Sequence, residues 1–171
     1  IDFIIKGCNP IEDILSNISD FKSSLESIFV IGFAEKELGY TIQDRLLNLI
    51  KVKRQLTAYG WQGHIHVFGG LEPNLAKLYY IAGADIFDGL SWQRMYYRNG
   101  ASIYNPKAFC VSLPEHENKF LMMVDNLWII QNVSNNLSTI FDTRMTKMDL
   151  LESFLKNDEV TIDDILTVME V

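Results

Sequence analysis

The sequence predicts an α/β fold built on parallel strands, and three observations lead to this prediction. Short, uniformly apolar runs alternate with amphipathic segments of helical length in the first half of the chain. The apolar runs end at glycine or polar residues, as buried strands do. Successive runs lie roughly 20 to 35 residues apart, which leaves room for a helical crossover between parallel strands. The 171 residues suffice for one domain with a sizeable core.

Four apolar runs are the predicted strands. They cover residues 2–6, 28–32, 65–69 and 84–88. Each run is apolar along its length, which favours strands that are covered on both faces. A doubly wound sheet and a barrel both satisfy this pattern. Four strands do not close a barrel of eight, so a barrel would need further strands from upstream sequence or from another chain.

Three helices are predicted between these strands. Pro10 and Pro73 suit the first turn of a helix, and Thr41 suits the position that caps one. Apolar residues then recur at spacings of three and four, which is the period of an amphipathic helix. The predicted apolar faces consist of Ile11, Ile14, Leu15 and Ile18 in the first helix, Leu46, Leu47, Ile50 and Val52 in the second, and Leu75, Leu78, Tyr79 and Ala82 in the third.

The pattern changes in the second half of the chain. Residues 103–111 and 120–124 are predicted as strands of an irregular excursion. Residues 127–141 are predicted as an amphipathic helix and 146–155 as a further helix. Much of the negative charge lies in the tail that follows residue 148.

The charge distribution is uneven. A net charge of −7 argues against a broad basic surface for nucleic acid. The segment 92–107 departs from this balance, because it carries Arg94, Arg98 and Lys107 and no acidic residue. Arg94 and Arg98 are therefore candidate phosphate contacts, with solvated surface charges as the alternative interpretation.

Compartment and membrane signals favour a cytoplasmic protein. No apolar run approaches the roughly 18 residues that cross a bilayer, and the start at Ile1 shows no signal-peptide pattern. Cys8 and Cys110 suit a reducing compartment, although a disulfide between them stays open. Because Ile1 is not an initiator methionine, we expect further sequence upstream of it.

Candidate site residues stand where the predicted strands end. In parallel α/β folds the carboxyl ends of the strands form one edge, where reacting groups lie. Glycines there allow a flat ligand to approach the backbone, and two phenylalanines could sandwich a planar ring. Tight turns and core packing are the alternative roles. The candidates are Lys6, Gly32, Phe33, Phe68, Gly69 and Asp88.

Two carboxylates flank the apolar pair Ile86-Phe87. Asp85 is expected on the helix-facing side or at the start of the strand. Asp88 is expected at the carboxyl end of the strand. There a carboxylate either caps the following helix or attacks a sugar carbon, as in retaining glycosyl transfer.

Two further groups have both a functional and a structural interpretation. His64 and His66 lie on one strand face and could form a metal pair, but no third ligand is evident. Trp92, Tyr96 and Tyr97 either stack on nucleotides or pack against an outer helix. Neither group by itself decides the function.

One block of sequence resembles a known family. Gly83-Ala84-Asp85-Ile86-Phe87-Asp88, followed by Arg94, Arg98-Asn99-Gly100 and Tyr104, resembles the signature of the tRNA-guanine transglycosylases. This block is the specific one, and other segments support it in the family's order over residues 1–140. The supporting segments are Ile4-Ile5-Lys6-Gly7, Phe29-Val30-Ile31-Gly32, His66-Val67-Phe68-Gly69 with Pro73 after it, and Asn126-Leu127.

The resemblance implies both a fold and an activity. Residues 1–110 would form the C-terminal half of a (β/α)8 TIM-type barrel, and residues 111–171 an irregular segment with a helical C-terminal extension. The activity would be a pentosyl transfer that exchanges guanine in DNA or tRNA for a 7-deazaguanine base. Asp88 would attack the anomeric carbon and form a covalent intermediate. The base would be bound by Lys6, Gly32, Phe33, Phe68 and Gly69, and the nucleic acid by Arg94 and Arg98.

Three departures from the family pattern matter. The family's upstream Asp-Ser-Gly-Gly-Phe-like motif, which holds its second catalytic aspartate, is not in this chain, so we expect a preceding barrel half. Lys6 stands where the family has glutamine. The Cys-x-Cys-x-x-Cys zinc motif is missing and Asp125 replaces its histidine ligand, so no cofactor or metal is expected. These departures favour a relative that modifies DNA or takes part in anti-phage defence.

Several alternatives stay open at this stage. The chain could be a noncatalytic transglycosylase-like subunit that binds a partner or nucleic acid, as in the queuine-inserting tRNA enzyme of eukaryotes. It could also be an unrelated α/β enzyme with a carboxylate at the same strand end. Each of these functions is compatible with a homo- or hetero-oligomer. Each transglycosylase function is also compatible with more than one deazaguanine base.

Overall fold

The computed structural model describes most of the chain. The described residues are 2–4, 10–17, 25–98, 101–104 and 112–143. The predictions for Lys6, for Cys8 and Cys110, and for the tail helix at 146–155 lie outside these ranges. No helix in the described part is long and apolar enough to cross a membrane.

The centre of the structure is a four-stranded parallel sheet. Its strands pair in sequential order, each with the next along the chain. They are β1 (Asp2–Ile4), β2 (Val30–Ala34), β3 (His64–Phe68) and β4 (Ile86–Phe87). The prediction of parallel, sequentially adjacent strands is therefore confirmed. The described strands show no reversal of order, which is the feature that defines a doubly wound sheet.

The second strand is displaced from its predicted bounds. It begins at Val30, because Ile28 belongs to the preceding turn: its N–H donates to the Leu25 carbonyl, and its carbonyl accepts the Trp61 indole N–H at 2.7 Å. The strand then continues through Gly32 to Ala34 instead of ending at Gly32. Gly32 is thus a strand residue paired with its neighbour strand, not a terminator.

The three predicted helices are confirmed. They are α1 (Pro10–Asn17), α2 (Ile42–Ala58) and α3 (Pro73–Ile81). Thr41 caps α2 as predicted, because its hydroxyl accepts the Asp44 N–H at 3.0 Å while the Asp44 carboxylate accepts the Thr41 N–H at 3.1 Å. Pro73 occupies the first turn of α3, where its missing N–H has no cost.

These helices cover one face of the sheet. Side chains alternate along β2 and β3, so Ile31, Phe33, Ile65 and Val67 point to the same side. All four are buried in one core with the apolar faces of α1, α2 and α3. The helices also contact one another in chain order, α1 with α2 and α2 with α3. Right-handed crossovers between sequential parallel strands place every helix on the same side in this way.

The opposite face of the sheet is open in the part of the chain that the structure describes. Ile4, Gly32, His66 and Ile86 are direct neighbours across the four strands on this face. Ile4 is 50% exposed and Ile86 is 37% exposed. The expectation that both faces are covered is therefore met on the helical side alone.

The second half of the chain differs most from its prediction. A single helix, α4 (Glu115–Thr143), replaces both the strand predicted at 120–124 and the later helix start at 127. An apolar run of five residues does not distinguish strand from helix. The helical period is visible in Asn118, Met122 and Asn126, which are buried at spacings of four. The helix packs against α3 and the segment after β4.

Along the chain, a short antiparallel hairpin follows the parallel sheet and precedes α4. Its strands are β5 (Tyr96–Arg98) and β6 (Ala101–Ile103). The strand predicted at 103–111 coincides with β6 only at Ile103, and residues 105–111 lie outside the described ranges. The Ser102 hydroxyl donates to the Glu72 carboxylate at 3.1 Å, which ties the hairpin to the start of α3.

Asn126 joins α4 to the segment that follows the sheet. Its side-chain oxygen accepts the Tyr97 N–H at 3.0 Å, and its side-chain nitrogen donates to the carbonyls of Trp92 (2.8 Å) and Met95 (2.6 Å). The side chain is fully buried. One buried amide therefore satisfies three backbone groups of the segment after β4.

We expect Asn126→Leu to destabilise the fold strongly. The change leaves one N–H and two carbonyls without their partner, and an unsatisfied buried group costs about 1–3 kcal/mol. The free energy of unfolding in urea, followed by circular dichroism, should fall by about 2–4 kcal/mol. The matched control is Asn136→Leu at an exposed position of the same helix, which should change it by less than about 0.5 kcal/mol. Equal losses in both variants would contradict this role.

Candidate functional site

Asp88 lies directly after β4, at the carboxyl edge of the sheet. Its Oδ1 accepts the Gly69 N–H at 2.9 Å. Gly69 turns the chain after β3 with a φ of +86°, a conformation that glycine adopts without steric cost. The Asp88 side chain is 52% exposed, so one side of the carboxylate faces solvent. The backbone thus orients this carboxylate while leaving it open to a ligand.

The helix-cap interpretation of Asp88 is not met. The short 3-10 helix that follows (Ser91–Gln93) begins after Leu90, and no side chain caps it. Asp88 instead bonds across to the turn after the neighbouring strand. Its carboxylate therefore binds the backbone of the turn after β3 and does not cap the next helix.

Phe68 and Gly32 form a flat apolar floor beside Asp88. They belong to neighbouring strands, and a side chain built on Gly32 would place its Cβ 2.4 Å from the Phe68 ring. Only glycine therefore lets the ring lie against β2 in its observed position. Of the predicted base-binding residues, Gly69 bonds directly to Asp88, and Phe68 packs against Gly32 on the neighbouring strand.

Phe33 is not part of this floor. The extension of β2 to Ala34 makes Phe33 alternate onto the helix-covered face, where it is completely buried in the core. The expectation that Phe33 and Phe68 sandwich a planar ring is therefore wrong for this structure, because the two rings lie on opposite faces of the sheet. Lys6, the remaining predicted base contact, lies outside the described residues.

His66 completes the cluster on the open face. Its ring stacks on Phe68 with 4.0 Å between the ring centroids and 35° between the planes. Its Nε2 lies 3.8 Å from Asp88 Oδ2. This Nε2 is buried and has no hydrogen-bond partner among the described residues. The sequence predicted only that His66 shares a strand face with His64. The contact between His66 and Asp88 joins residues far apart in the chain, so alternation along one strand does not predict it.

His64 and Asp85 form a second pair, at the opposite end of the strands. Asp85 Oδ2 accepts the Ile65 N–H at 3.0 Å and lies 3.5 Å from Lys53 Nζ, and His64 Nδ1 is 3.8 Å away. Asp85 thus stands at the start of the strand, as expected. The described residues contain no group of three or more metal-ligating side chains, and His64 and His66 each face a different aspartate.

A half-buried polar network, which the sequence did not predict, lies directly after β2 at the carboxyl edge of the sheet. The Glu35 carboxylate binds Arg45 at 2.8 Å and accepts the Tyr79 hydroxyl at 2.9 Å. Burial raises the pKa of the Tyr79 phenol to about 12, so it stays protonated and donates to Glu35. Glu35 Oε2 lies close to Gly69, about 4.0 Å from where a Cβ on that glycine would be. This network ties Glu35, directly after β2, to α2 and α3, close to the turn that carries the Asp88 contact.

The predicted nucleic-acid residues lie on the segment after Asp88. Arg94 and Arg98 are exposed, and Trp92 and Tyr96 are half-buried. Tyr97 is buried against α4, with its hydroxyl donating to Ser91 at 2.6 Å, so the packing interpretation holds for this aromatic residue. Both arginines follow the site along the chain: Arg94 ends the short 3-10 helix and Arg98 is the last residue of β5.

Comparison with protein-family models, with curated proteins and with solved structures finds no match for this chain.

The raised pKa of Tyr79 makes a prediction about pH. The pKa of the Tyr79 phenol is about 12 in the folded state and has the ordinary value of 10.0 in the unfolded state. Because the folded state holds this proton more tightly, the phenol makes its full contribution to stability below pH 10. That contribution disappears as the pH rises toward 12. Tyr79→Phe keeps the ring and removes the titrating group.

The free energy of unfolding should therefore fall more steeply between pH 10 and 12 in the wild type than in Tyr79→Phe. Urea titrations at pH 8, 10 and 11, followed by circular dichroism, measure this difference. Tyr40→Phe, at a fully exposed tyrosine, is the control and should follow the wild-type curve. Parallel curves for the wild type and Tyr79→Phe would contradict a raised pKa of the Tyr79 phenol.

Proposed function

We propose that this chain carries the C-terminal half of a (β/α)8 barrel and the nucleophile of a guanine transglycosylase-like enzyme. The reaction exchanges guanine in DNA or tRNA for a 7-deazaguanine base. The observation that carries the proposal is the Asp88 carboxylate. It is half-exposed at the carboxyl edge of a parallel sheet, bound by a backbone N–H, and adjacent to an apolar floor.

The single-sided winding of the sheet supports the barrel. Sequential parallel strands with helices on one face form the wall of a (β/α)8 barrel, and their other face points to its interior. Ile4 and Ile86 on that face are exposed in the described chain and need a cover of apolar side chains. A second set of four strands, from upstream sequence or from another chain, supplies that cover in this proposal.

The floor beside Asp88 suits a purine-like base. Gly69 leaves the backbone next to Asp88 free of a side chain, and the half-buried Phe68 ring, which packs over Gly32, offers an apolar surface. A base that lies against Phe68 places the attached sugar toward Asp88. In a soak with the free deazaguanine base, we expect the ring within van der Waals distance of Phe68.

The chemistry follows from the placement of the carboxylate. An Asp88 oxygen forms a bond to the anomeric carbon while the bond from that carbon to the guanine nitrogen breaks, and the electron pair leaves with guanine, which takes a proton from water. The nitrogen of the incoming base then attacks the same carbon, loses its proton, and releases Asp88. The negative carboxylate also stabilises the positive charge that develops on the ribose.

Asp88→Asn tests this proposal. The variant keeps the shape of the side chain but removes its charge and its nucleophilic oxygen, so we expect base exchange to fall by at least about a thousandfold. Binding of the polynucleotide should stay close to that of the wild type. The measurements are incorporation of labelled deazaguanine into DNA and into tRNA by the full-length protein, and trapping of a denaturant-stable adduct.

Asp85→Asn is the matched control, because Asp85 lies in the same six-residue block and accepts a backbone N–H at the far end of the strand. It should retain exchange in the folded fraction. Wild-type exchange by the Asp88→Asn variant would overturn the catalytic role. Nucleic-acid binding without exchange or adduct in the wild type, together with an upstream sequence lacking an Asp-Ser-Gly-like motif, would favour the noncatalytic subunit instead.

Arg94 and Arg98 give a second test, on binding. If each contacts one phosphate, Arg94→Ala and Arg98→Ala should each reduce the slope of log K against log salt by about 0.9 on duplex DNA. Fluorescence anisotropy with a labelled duplex at several salt concentrations measures the slope. The control is Arg54→Ala on α2, an exposed arginine on the outer helical layer. Indistinguishable slopes in all three variants would assign the two arginines to the solvated surface.

A further inference from the structure

We propose that His66 is a positioning residue for Asp88. Its Nε2–H donates to Oδ2 of the carboxylate and, together with the Gly69 N–H on Oδ1, holds the nucleophile in a single orientation. The catalytic consequence rests on the proposed function, whereas the contact itself does not.

Asp88 is the acceptor that lies near His66 Nε2. The atom is buried and has no hydrogen-bond partner among the described residues, and Asp88 Oδ2 is 3.8 Å away. A buried donor without an acceptor is unfavourable, so a contact that satisfies it is favoured. A lone pair on Nε2 would instead face the lone pairs of the carboxylate with no proton between them. The tautomer that carries the proton on Nε2 is therefore the one that fits this site.

The His66 ring is held in place by its contact with Phe68. It stacks on Phe68, and Phe68 in turn lies against the bare backbone of Gly32. His66 is only 17% exposed, so it has few alternative rotamers. The mobile partner is the half-exposed carboxylate of Asp88. A small rotation of that carboxylate shortens the 3.8 Å separation to a hydrogen bond, as often happens when a substrate closes over a site.

Two donors on two oxygens restrict the carboxylate to one plane. A nucleophile held in this way meets the anomeric carbon at a fixed angle, and loss of such alignment reduces the rate by roughly 10- to 100-fold. Binding of the polynucleotide does not involve His66 in this arrangement. The effect should therefore appear in kcat and leave KM unchanged.

The kinetic experiment compares variants of the full-length protein. His66→Phe keeps a ring against Phe68 but has no donor, and we expect kcat for base exchange to fall about 10- to 100-fold with KM within about twofold. His66→Gln restores an N–H near the same place and should recover most of the loss. His64→Phe, two residues earlier on the same face and next to Asp85, is the control and should match the wild type. Equal kcat values for His66→Phe and the wild type, or no recovery in His66→Gln, would overturn the proposal.

A second measurement does not depend on activity. Nitrogen-15 correlation spectra of the histidine rings report which nitrogen carries the proton. We expect His66 to carry it on Nε2 in the wild type, and we expect its signals to move in Asp88→Ala while those of His64 stay in place. A proton on Nδ1 alone, or a His66 signal that Asp88→Ala leaves unchanged, would refute the contact. A wild type with this contact but without exchange or adduct would refute the proposed function and keep the His66–Asp88 pair.

Discussion

The alternation of side chains along β2 and β3 is the constraint on which the rest of the structure depends. The helices lie on one face of the sheet, so residues of one parity enter the core and residues of the other parity form the open face. Phe33 and Val67 consequently pack beneath the helices, whereas Gly32, His66 and Phe68 face the opposite side. The same parity places Asp88 beside His66 and Phe68. The core and the candidate site are thus two consequences of one register.

The site is built mainly from small backbone features and contains few charged groups. The missing side chain of Gly32 admits the Phe68 ring, and the turn at Gly69 presents an N–H to Asp88. The ion pair of Glu35 with Arg45 is separate from the Asp88–Gly69 contact. A site of this kind orients one carboxylate and leaves an apolar surface beside it.

The segment after Asp88 depends on a different kind of interaction. It forms a short hairpin with few regular backbone bonds, and α4 supplies the missing partners through Asn126. Tyr97 is buried by the same contact, which leaves Arg94 and Arg98 on the outside. A single buried amide therefore fixes the backbone on either side of Arg94 to α4. Within the Asn126-Leu127 pair, Asn126 makes these contacts and Leu127 is half exposed.

The amino-acid pattern was enough to predict the parallel strands, their order, the three connecting helices and the position of Asp88 at the carboxyl edge. These features depend on local periodicity and on capping residues such as Thr41 and Pro73, which neighbouring residues specify. Only the tertiary structure decided which phenylalanine faces the site. The extension of β2 by two residues moves Phe33 to the core, and a shift of one residue changes the face of every side chain. It also decided the partners of His66, Glu35 and Asn126, because contacts between residues far apart in the chain leave no periodic signal in it.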